Sequence, residues 1–235
     1  MLEDLKESVW KANLDLARSG LVMLTFGNVS GIDGRRGILA IKPSGVPYED
    51  LKPEDMVLVG LDGHVVQGML SPSSDTPTHI ALYKAFTEVG GIAHTHSVYA
   101  TMFAQARKEV PCLGTTHADH FHGPIPVTRQ LRAGEVRTNY EAGTGAAIIE
   151  RFDGLDPLAV PAVLVAGHGP FAWGRTPAEA VEHNRILEHV AKAAFGTLLL
   201  KGRQAPLETF VLEKHHQRKH GPQAYYGQKK EKAHD

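Results

Sequence analysis

Three histidines stand where a metal site could form. His94 and His96 end the apolar run 92–96, and His168 lies between two glycines after the apolar run 162–166. Side chains two positions apart on a strand project to the same side, so the first pair can converge. A lone His-x-His pair is also typical of an ordinary strand edge. His168 favours a metal, because three buried imidazoles would otherwise stay unsatisfied, and three histidines at strand ends make an open zinc site.

Composition limits the partners that this chain could have. It has 235 residues, 42% hydrophobic and 22% charged, and its 25 Lys and Arg nearly balance its 26 Asp and Glu. The length and apolar content fit one α/β domain, and the charge balance predicts a small substrate with no nucleic acid or membrane partner. Cys112 is the single cysteine, and no signal peptide or apolar run of about 20 residues is recognisable. We therefore expect a cytoplasmic protein.

The elements that must position the histidines follow from periodicity. Apolar residues at helical spacing predict an opening helix over 2–16, and Thr76-Pro77 and Thr176-Pro177 begin two more helices, the second opening on a capping box and running toward Leu200. Further helices are predicted over 97–106 and 207–216. Strands are predicted over 22–29, 37–41, 56–61, 64–66, 92–96, 162–166 and 171–173. A loop-rich segment is expected between the helix that ends at 106 and the strand that begins at 162.

Several longer motifs then make the chain recognisable. Lys42-Pro-Ser-Gly45, Ser73-Ser-Asp-Thr-Pro-Thr-His79, His94-Thr-His96 and Gly167-His-Gly-Pro170 occur in the order found in the class II aldolase family, which the chain resembles over nearly its whole length. The resemblance implies a three-layer α/β fold with a central, mostly antiparallel sheet flanked by helices. It also implies a homotetramer with active sites between subunits. The domain would span 1–228, followed by a disordered tail over 229–235.

The resemblance assigns binding roles residue by residue. His94, His96 and His168 would hold one Zn²⁺ per subunit, and Asp75 would be an acidic residue associated with the metal. Asp75 could instead favour the first turn of the following helix, where an acid complements the helix dipole. The phosphate of a sugar phosphate would be bound by small and polar residues: Asn28, Lys42, Ser44, Gly45, Ser73 and Ser74. Exposed amides, hydroxyls and a nearby helix N-terminus suit an anion, although Lys42-Pro-Ser-Gly45 alone is also an ordinary turn.

More narrowly, Thr115-Thr-His-Ala-Asp119, Arg218-Lys-His-Gly221 and Tyr225-Tyr-Gly-Gln228 look like motifs of the bacterial 4-epimerases of this family. They imply that L-ribulose 5-phosphate and D-xylulose 5-phosphate are interconverted by cleavage and re-formation of the C3–C4 bond. Asp119 and Tyr226 would transfer protons on the two faces of the aldehyde, supported by Thr115, His215 and Arg218. Tyr226 would serve a neighbouring subunit.

Each of these assignments has an alternative. Asp119 could be a loop residue that accepts backbone hydrogen bonds, and Tyr226 could be a surface aromatic near a frayed terminus. The chain could also be a fuculose-phosphate type aldolase that releases a free aldehyde. A non-catalytic, adducin-like interaction module is the third possibility, against which the complete histidine triad argues.

Overall fold

The computed structural model describes residues 2–226. Its helices are α1 Leu2–Arg18, α2 Thr76–Ala85, α3 Val98–Ala106, α4 Thr115–Ala118, α5 Ala133–Thr138, α6 Tyr140–Arg151, α7 Pro177–Lys201 and α8 Thr209–His220, with a 3₁₀ turn at Pro53–Asp55. Its strands are β1 Asn28–Asp33, β2 Ile38–Ile41, β3 Val57–Gly60, β4 Val65–Gln67, β5 Gly91–His94, β6 Ala162–Leu164 and β7 Pro170–Gly174.

These strands form one sheet in the order β4-β3-β2-β1-β5-β7-β6, and every neighbouring pair is antiparallel. The register places His94 of β5 opposite Asn28 of β1 on one side and opposite Phe171 of β7 on the other. The expected antiparallel sheet flanked by helices is confirmed. The ends of β1 and β5 therefore meet beside the turn between β6 and β7.

The two faces of the sheet bury side chains of different size. One face presents large side chains, among them Leu39, Ile92 and Trp173, against α2 and α6. The opposite face presents small ones, including Ala40, Ala93 and Ala172, against α1, α3 and α7. This alternation follows from the two-residue period of a strand. It produces a helix layer on each side of the sheet.

Glycines let α7 approach the small-residue face closely. A Cβ on Gly31 would lie 2.7 Å from the ring of Pro177, and one on Gly91 would lie 2.3 Å from the backbone nitrogen of Pro177. No real Cβ tolerates a backbone atom at that distance, so these positions exclude larger residues. The first turn of α7 is thereby fixed against the centre of the sheet, next to β5.

Several elements differ from the sequence predictions. The strand predicted over 22–29 is wrong except at its end: β1 begins at Asn28, and 22–27 form a turn in which Leu24 has a positive φ of 53°. This segment ends at Gly27, whose φ of 82° suits glycine. The strand predicted over 92–96 ends earlier, because β5 stops at His94 and His96 lies two residues beyond it. The last helix runs over Thr209–His220 instead of 207–216.

The middle of the chain is also less irregular than predicted, since it contains α4, α5 and α6. Gly143 and Gly145 hid α6 from sequence reasoning because glycine disfavours helix interiors. A Cβ on Gly145 would lie 2.7 Å from the Cβ of Ala81 in α2, so the glycine permits close helix packing. Tertiary contact therefore outweighs propensity here.

The predicted capping box at the start of α7 is half formed. The Thr176 hydroxyl accepts a hydrogen bond from the Glu179 amide at 3.2 Å, but the Glu179 carboxylate accepts from the Arg175 amide. Among residues 2–226, no helix is both long and apolar enough to span a membrane. The predicted domain end at 228 and the tail over 229–235 lie outside the described residues.

The close approach of α7 predicts a large stability difference between two glycine substitutions. Gly91→Ala should lower the free energy of unfolding by about 1–3 kcal/mol or more, because the new methyl group meets the Pro177 backbone. Gly196→Ala, in α7 with no atom within 4 Å of its Cβ position, should raise it by about 0.5–1 kcal/mol. Urea denaturation of both variants measures this. Equal effects would contradict the packing described here.

Candidate functional site

The three predicted histidines converge. His94, His96 and His168 each bring a ring nitrogen to within 4.8 Å of the others. The Nε2 atoms of His94 and His96 are 3.2 Å apart. Within the part of the chain that the structure describes, this is the one cluster of three or more His, Cys, Asp or Glu side chains that meets this distance. The predicted metal site is therefore geometrically possible.

Backbone contacts orient His94. Its Nδ1 donates to the Pro170 carbonyl at 2.9 Å, which leaves the lone pair of Nε2 free toward the cluster. Its ring stacks on Phe171 with centroids 4.2 Å apart. Position 169 requires glycine, because a Cβ there would lie 2.7 Å from the Thr95 carbonyl oxygen and 3.0 Å from the ring of His96. An imidazole with this orientation suits a metal ligand.

Burial lowers the pKa of His96 and of His168 and leaves one buried atom without a partner. Desolvation, together with His94 and His96, lowers the pKa of His168 to about 3. The Nδ1 atom of His168 is buried and has no hydrogen-bond partner among the described residues. Unpaired buried polar atoms are costly and call for an explanation such as an ion. The donor set and this orphan atom both fit a divalent metal.

Asp75 lies beside the histidines. Its Oδ2 accepts from the Asn28 side-chain amide at 2.7 Å and lies 4.0 Å from His94 Nε2. Burial alone would raise the pKa of the Asp75 carboxyl, but His94 and His79 and the amide of Asn28 outweigh burial and lower it. Asp75 occupies the N-cap position of α2, yet its side chain makes no capping hydrogen bond. The contacts therefore favour a role at the cluster over a role in the helix.

The predicted phosphate-binding segments adjoin the histidines. The Lys42 ammonium is buried and donates to the carbonyls of Thr25, Pro43 and Val46 at 3.4, 3.3 and 2.9 Å, so it ties two loops together. Burial lowers the pKa of Lys42 to about 8. Gly45 has a φ of 70°, which a larger residue would adopt only with strain.

A cavity of about 280 Å³ joins these groups. All residues predicted for metal and phosphate binding line it. The complete lining is Thr25, Phe26, Gly27, Asn28, Lys42, Pro43, Ser44, Gly45, Ser73, Ser74, Asp75, His94, His96 and His168. The structure therefore brings two separately predicted sites into one space.

Sequence reasoning missed several residues here. Thr25, Phe26 and Gly27 line the cavity because the segment predicted as a strand is a turn that folds over it. His79 is fully buried beneath Asp75 and makes a 2.7 Å hydrogen bond with Ser30. Tyr140, the first residue of α6, has its ring centroid 5.9 Å from that of His168. The aromatic type of Phe26, next to Gly27-Asn28, was the one available signal.

The predicted catalytic residues form a second cluster. Arg218 donates from Nε and Nη2 to the two carboxylate oxygens of Asp119, at 2.8 and 2.5 Å, and His215 Nδ1 lies 3.1 Å from Oδ1. The Arg218 guanidinium also lies 4.6 Å from the centre of the Tyr226 ring. Arg218 accordingly holds Asp119 and Tyr226 together in one chain. We call these four residues the Asp119 cluster.

The Asp119 carboxyl of this cluster is stabilised in its ionised form. Burial would raise the pKa of Asp119, but hydrogen bonds from Arg218 and His215 outweigh burial and lower it. Thr115 begins α4 and accepts the Asp119 amide on its carbonyl at 2.9 Å, so it fixes the backbone of the cluster. No hydrogen bond, ion pair or ring contact between described residues joins the cluster to the histidine cavity. Within one chain, the two groups are separate.

Comparison with known proteins gives consistent matches. Residues 7–195 match the family described as class II aldolase and adducin N-terminal domain. The L-ribulose-5-phosphate 4-epimerase UlaF of Salmonella paratyphi C (strain RKS4594) is 50% identical over 228 residues, which cover 97% of this chain and 100% of that protein. The protein of the same name from Salmonella typhi is also 50% identical over 228 residues.

Solved structures agree in fold. An L-fuculose 1-phosphate aldolase superposes with a TM-score of 0.77 at 26% identity, covering 92% of this chain and 95% of the aldolase. YgbL from Klebsiella pneumoniae, described as a putative aldolase/epimerase/decarboxylase, superposes with a TM-score of 0.71 at 24% identity, covering 90% and 97% of the two chains. The second likeness supports the fold alone.

The buried Lys42 predicts a pH dependence of anion binding. As pH rises through about 8, the ammonium loses its proton and its attraction for a phosphate ester, which is doubly charged above about pH 7. The dissociation constant for glycerol phosphate, measured by calorimetry, should therefore rise by about tenfold between neutral and alkaline pH. Lys42→Met should bind weakly throughout this range, and Lys11→Met, on the exposed side of α1, should behave as wild type. Unchanged binding by Lys42→Met would exclude the ammonium from this role.

Proposed function

The chain belongs to the class II aldolase and adducin family, and on that basis we propose that it is an L-ribulose-5-phosphate 4-epimerase. It would interconvert L-ribulose 5-phosphate and D-xylulose 5-phosphate by breaking and re-forming the C3–C4 bond. The 50% identity to UlaF over nearly the whole chain supports this substrate. Phosphorylated sugars are charged and do not cross membranes unaided, so the proposal places the enzyme in the cytoplasm.

The observation that carries the proposal is the single cavity in which the histidine triad and the phosphate-binding segments face each other. A ketose phosphate needs both groups at once: one for its phosphate, the other for the oxygens near the bond that breaks. Asn28, Ser44 and Ser73 offer amide and hydroxyl groups to the phosphate. The bound phosphate would then keep the aldehyde fragment in the site after cleavage. The aldehyde could rotate there and present its other face before the C3–C4 bond forms again.

We propose Zn²⁺ as the metal, held by His94, His96 and His168 with Asp75 alongside. A zinc ion bound there would supply a Lewis acid for the sugar oxygens next to the C3–C4 bond. The chain's own contribution is the fixed orientation of His94 by Pro170 and the negative charge of Asp75. Three neutral imidazoles with an open side are typical of catalytic zinc.

Asp119 and Tyr226 are the proposed proton-transfer groups. Epimerisation requires proton transfer on both sides of the aldehyde plane, because the C4 oxygen is deprotonated from one side and reprotonated from the other. Asp119 is held ionised by Arg218 and His215, as a base must be. The Tyr226 phenol can donate or accept a hydrogen bond and lies next to cationic Arg218 and Lys219.

The separation of the Asp119 cluster from the histidine cavity supports a further part of the proposal: the cluster of one subunit serves the cavity of its neighbour, in the homotetramer that the family resemblance implies. Among the described residues, Asp119 and Tyr226 do not line the cavity, and none of the predicted phosphate-binding residues belongs to the Asp119 cluster. Pairing two copies would complete both the cavity and the cluster. Arg218 contacts both Asp119 and Tyr226 of one chain, so the two residues would cross the interface together, whereas the sequence interpretation has Tyr226 alone serving a neighbouring subunit.

An assay with L-ribulose 5-phosphate tests the activity. We expect D-xylulose 5-phosphate as the product, loss of turnover after chelation, and recovery with Zn²⁺. Product analysis by NMR also separates the alternatives, since a simple aldolase would accumulate dihydroxyacetone and glycolaldehyde phosphate. Full activity in metal-free protein would exclude the Lewis acid. No conversion by zinc-loaded protein would exclude the proposed function.

Mixed oligomers test the shared site. Asp119→Asn and His94→Asn subunits should each be inactive alone, with a general acid–base loss of about 10²–10⁴-fold in the first. After joint unfolding and reassembly in equal amounts, about a quarter of the sites should combine an intact triad with an intact neighbouring Asp119 in a cyclic oligomer. Activity should return to about that fraction of wild type.

The matched mixture pairs Asp119→Asn with Tyr226→Phe subunits. No site gains both groups there if Asp119 and Tyr226 come from the same chain, so activity should stay absent. Native mass spectrometry confirms that hybrids formed in both mixtures. Activity in this second mixture would place the two residues on different subunits, and inactivity in the first would place the triad and Asp119 in one subunit.

A further inference from the structure

Each histidine of the triad has an aromatic neighbour. Phe171 stacks on His94 with centroids 4.2 Å apart and is buried, and Phe26 stacks on His96 at 6.0 Å. The ring of Tyr140 meets that of His168 at 5.9 Å with an interplanar angle of 61°. Of these three aromatic side chains, Tyr140 alone carries a hydroxyl group. Tyr140 therefore brings a phenol next to His168, although its side chain is not part of the cavity lining.

The Tyr140 hydroxyl is available for a ligand. Among residues 2–226, it makes no hydrogen bond, and the side chain is 36% exposed. A phenol has a reference pKa of about 10 and is protonated at neutral pH, so it can donate to an oxygen acceptor. Nothing in the described part of the chain uses this capacity.

The position of Tyr140 is fixed relative to Asp75. Tyr140 begins α6, whose N-cap Asn139 accepts the Ala142 amide on its side chain at 3.0 Å. The Thr78 hydroxyl of α2 donates to the Glu141 carbonyl at 2.7 Å, and α2 begins directly after Asp75. One hydrogen bond thus ties the first turn of α6 to the helix that carries the acidic residue. A side chain held this way suits a directional contact.

Tyr140 contacts the triad at His168. In the order β2-β1-β5-β7, Asn28, Lys42, Ser44 and Gly45 of the predicted phosphate site belong to the β1 and β2 side of His94, whereas His168, which the Tyr140 ring contacts, lies just before β7 on the other side. A ketose 5-phosphate with its phosphate among those residues would span the triad. Its C1–C2 end would then point toward Tyr140.

We propose that Tyr140 is a substrate-binding residue whose hydroxyl donates a hydrogen bond to a sugar oxygen at the C1–C2 end, where the sugar lies against the histidine triad. This rests on the proposed function, which supplies the ketose phosphate. Tyr140 transfers no proton in this role. It orients the half of the sugar that carries the enediolate, while the phosphate segments hold the other half.

Tyr140→Phe tests the hydrogen bond, because it keeps the ring beside His168 and removes only the hydroxyl. The first readout does not depend on turnover. Acetohydroxamate, whose two adjacent oxygens resemble an enediolate, is titrated into Co²⁺-loaded protein, and its binding is followed in the visible spectrum. The dissociation constant should rise by about tenfold to a hundredfold, as for a lost hydrogen bond to a charged acceptor. With L-ribulose 5-phosphate, kcat/KM should fall by a similar factor.

Two measurements exclude a structural effect. Metal content and affinity for glycerol phosphate should stay at the wild-type level, since the first depends on the histidines and the second on the far side of the cavity. Tyr99→Phe is the matched control: it removes a phenol hydroxyl beside Lys192 and Phe195, away from the site, and should leave all readouts unchanged.

Wild-type acetohydroxamate binding by Tyr140→Phe would overturn the inference, and so would loss of metal, which would mean that the hydroxyl supports His168. Failure of the proposed function gives a different result. If the zinc-loaded wild type does not convert L-ribulose 5-phosphate but Tyr140→Phe still weakens hydroxamate binding, the epimerase proposal is wrong, and the hydrogen bond at the triad stands for another ligand.

Discussion

The site depends on one constraint: three imidazole rings must point their lone pairs into the same small volume. His94 meets this constraint by donating its other nitrogen to the Pro170 carbonyl, a contact made possible by the antiparallel pairing of β5 with β7. Gly169 leaves the space in which the rings of His94 and His96 approach. A shift of register between these strands would turn the rings apart, because it would exchange the two faces of the sheet. The metal site is therefore a property of the sheet.

The unequal faces of the sheet maintain that register. Large side chains on one face pack against α2, which carries Asp75 at its start, and α6, which carries Tyr140. Alanines and glycines on the other face let α7 lie close behind β5. The strand that ends in His94 is held from both sides, while the loops at its end stay open to a ligand. A rigid sheet and open loops together give a preorganised site.

The sequence predicted what depends on local pattern. The histidine spacing, the capping threonine of α7 and most strands could be read from residue types at short range. The turn over 22–27 could not, because its apolar side chains resemble a strand and only the positive φ angles at Leu24 and Gly27 reveal the turn. Helix α6 could not be predicted because Gly145 disfavours a helix, and the close packing against Ala81 that this glycine permits is visible only in the structure. The role of Arg218 in joining Asp119 and Tyr226 depends on chain segments about a hundred positions apart, and neither composition nor periodicity records such contacts.

X-ray absorption at the zinc edge tests the central claim most directly. Purified protein loaded with one equivalent of Zn²⁺ should show imidazole scattering from three histidines, with zinc–nitrogen distances of about 2.0–2.1 Å and oxygen ligands completing the coordination. His168→Asn should lose one imidazole from this pattern, and His183→Asn, which lies on α7 and donates to the Trp173 carbonyl, should keep all three. Sulfur scattering, or fewer than three imidazoles in the unmodified protein, would contradict the account.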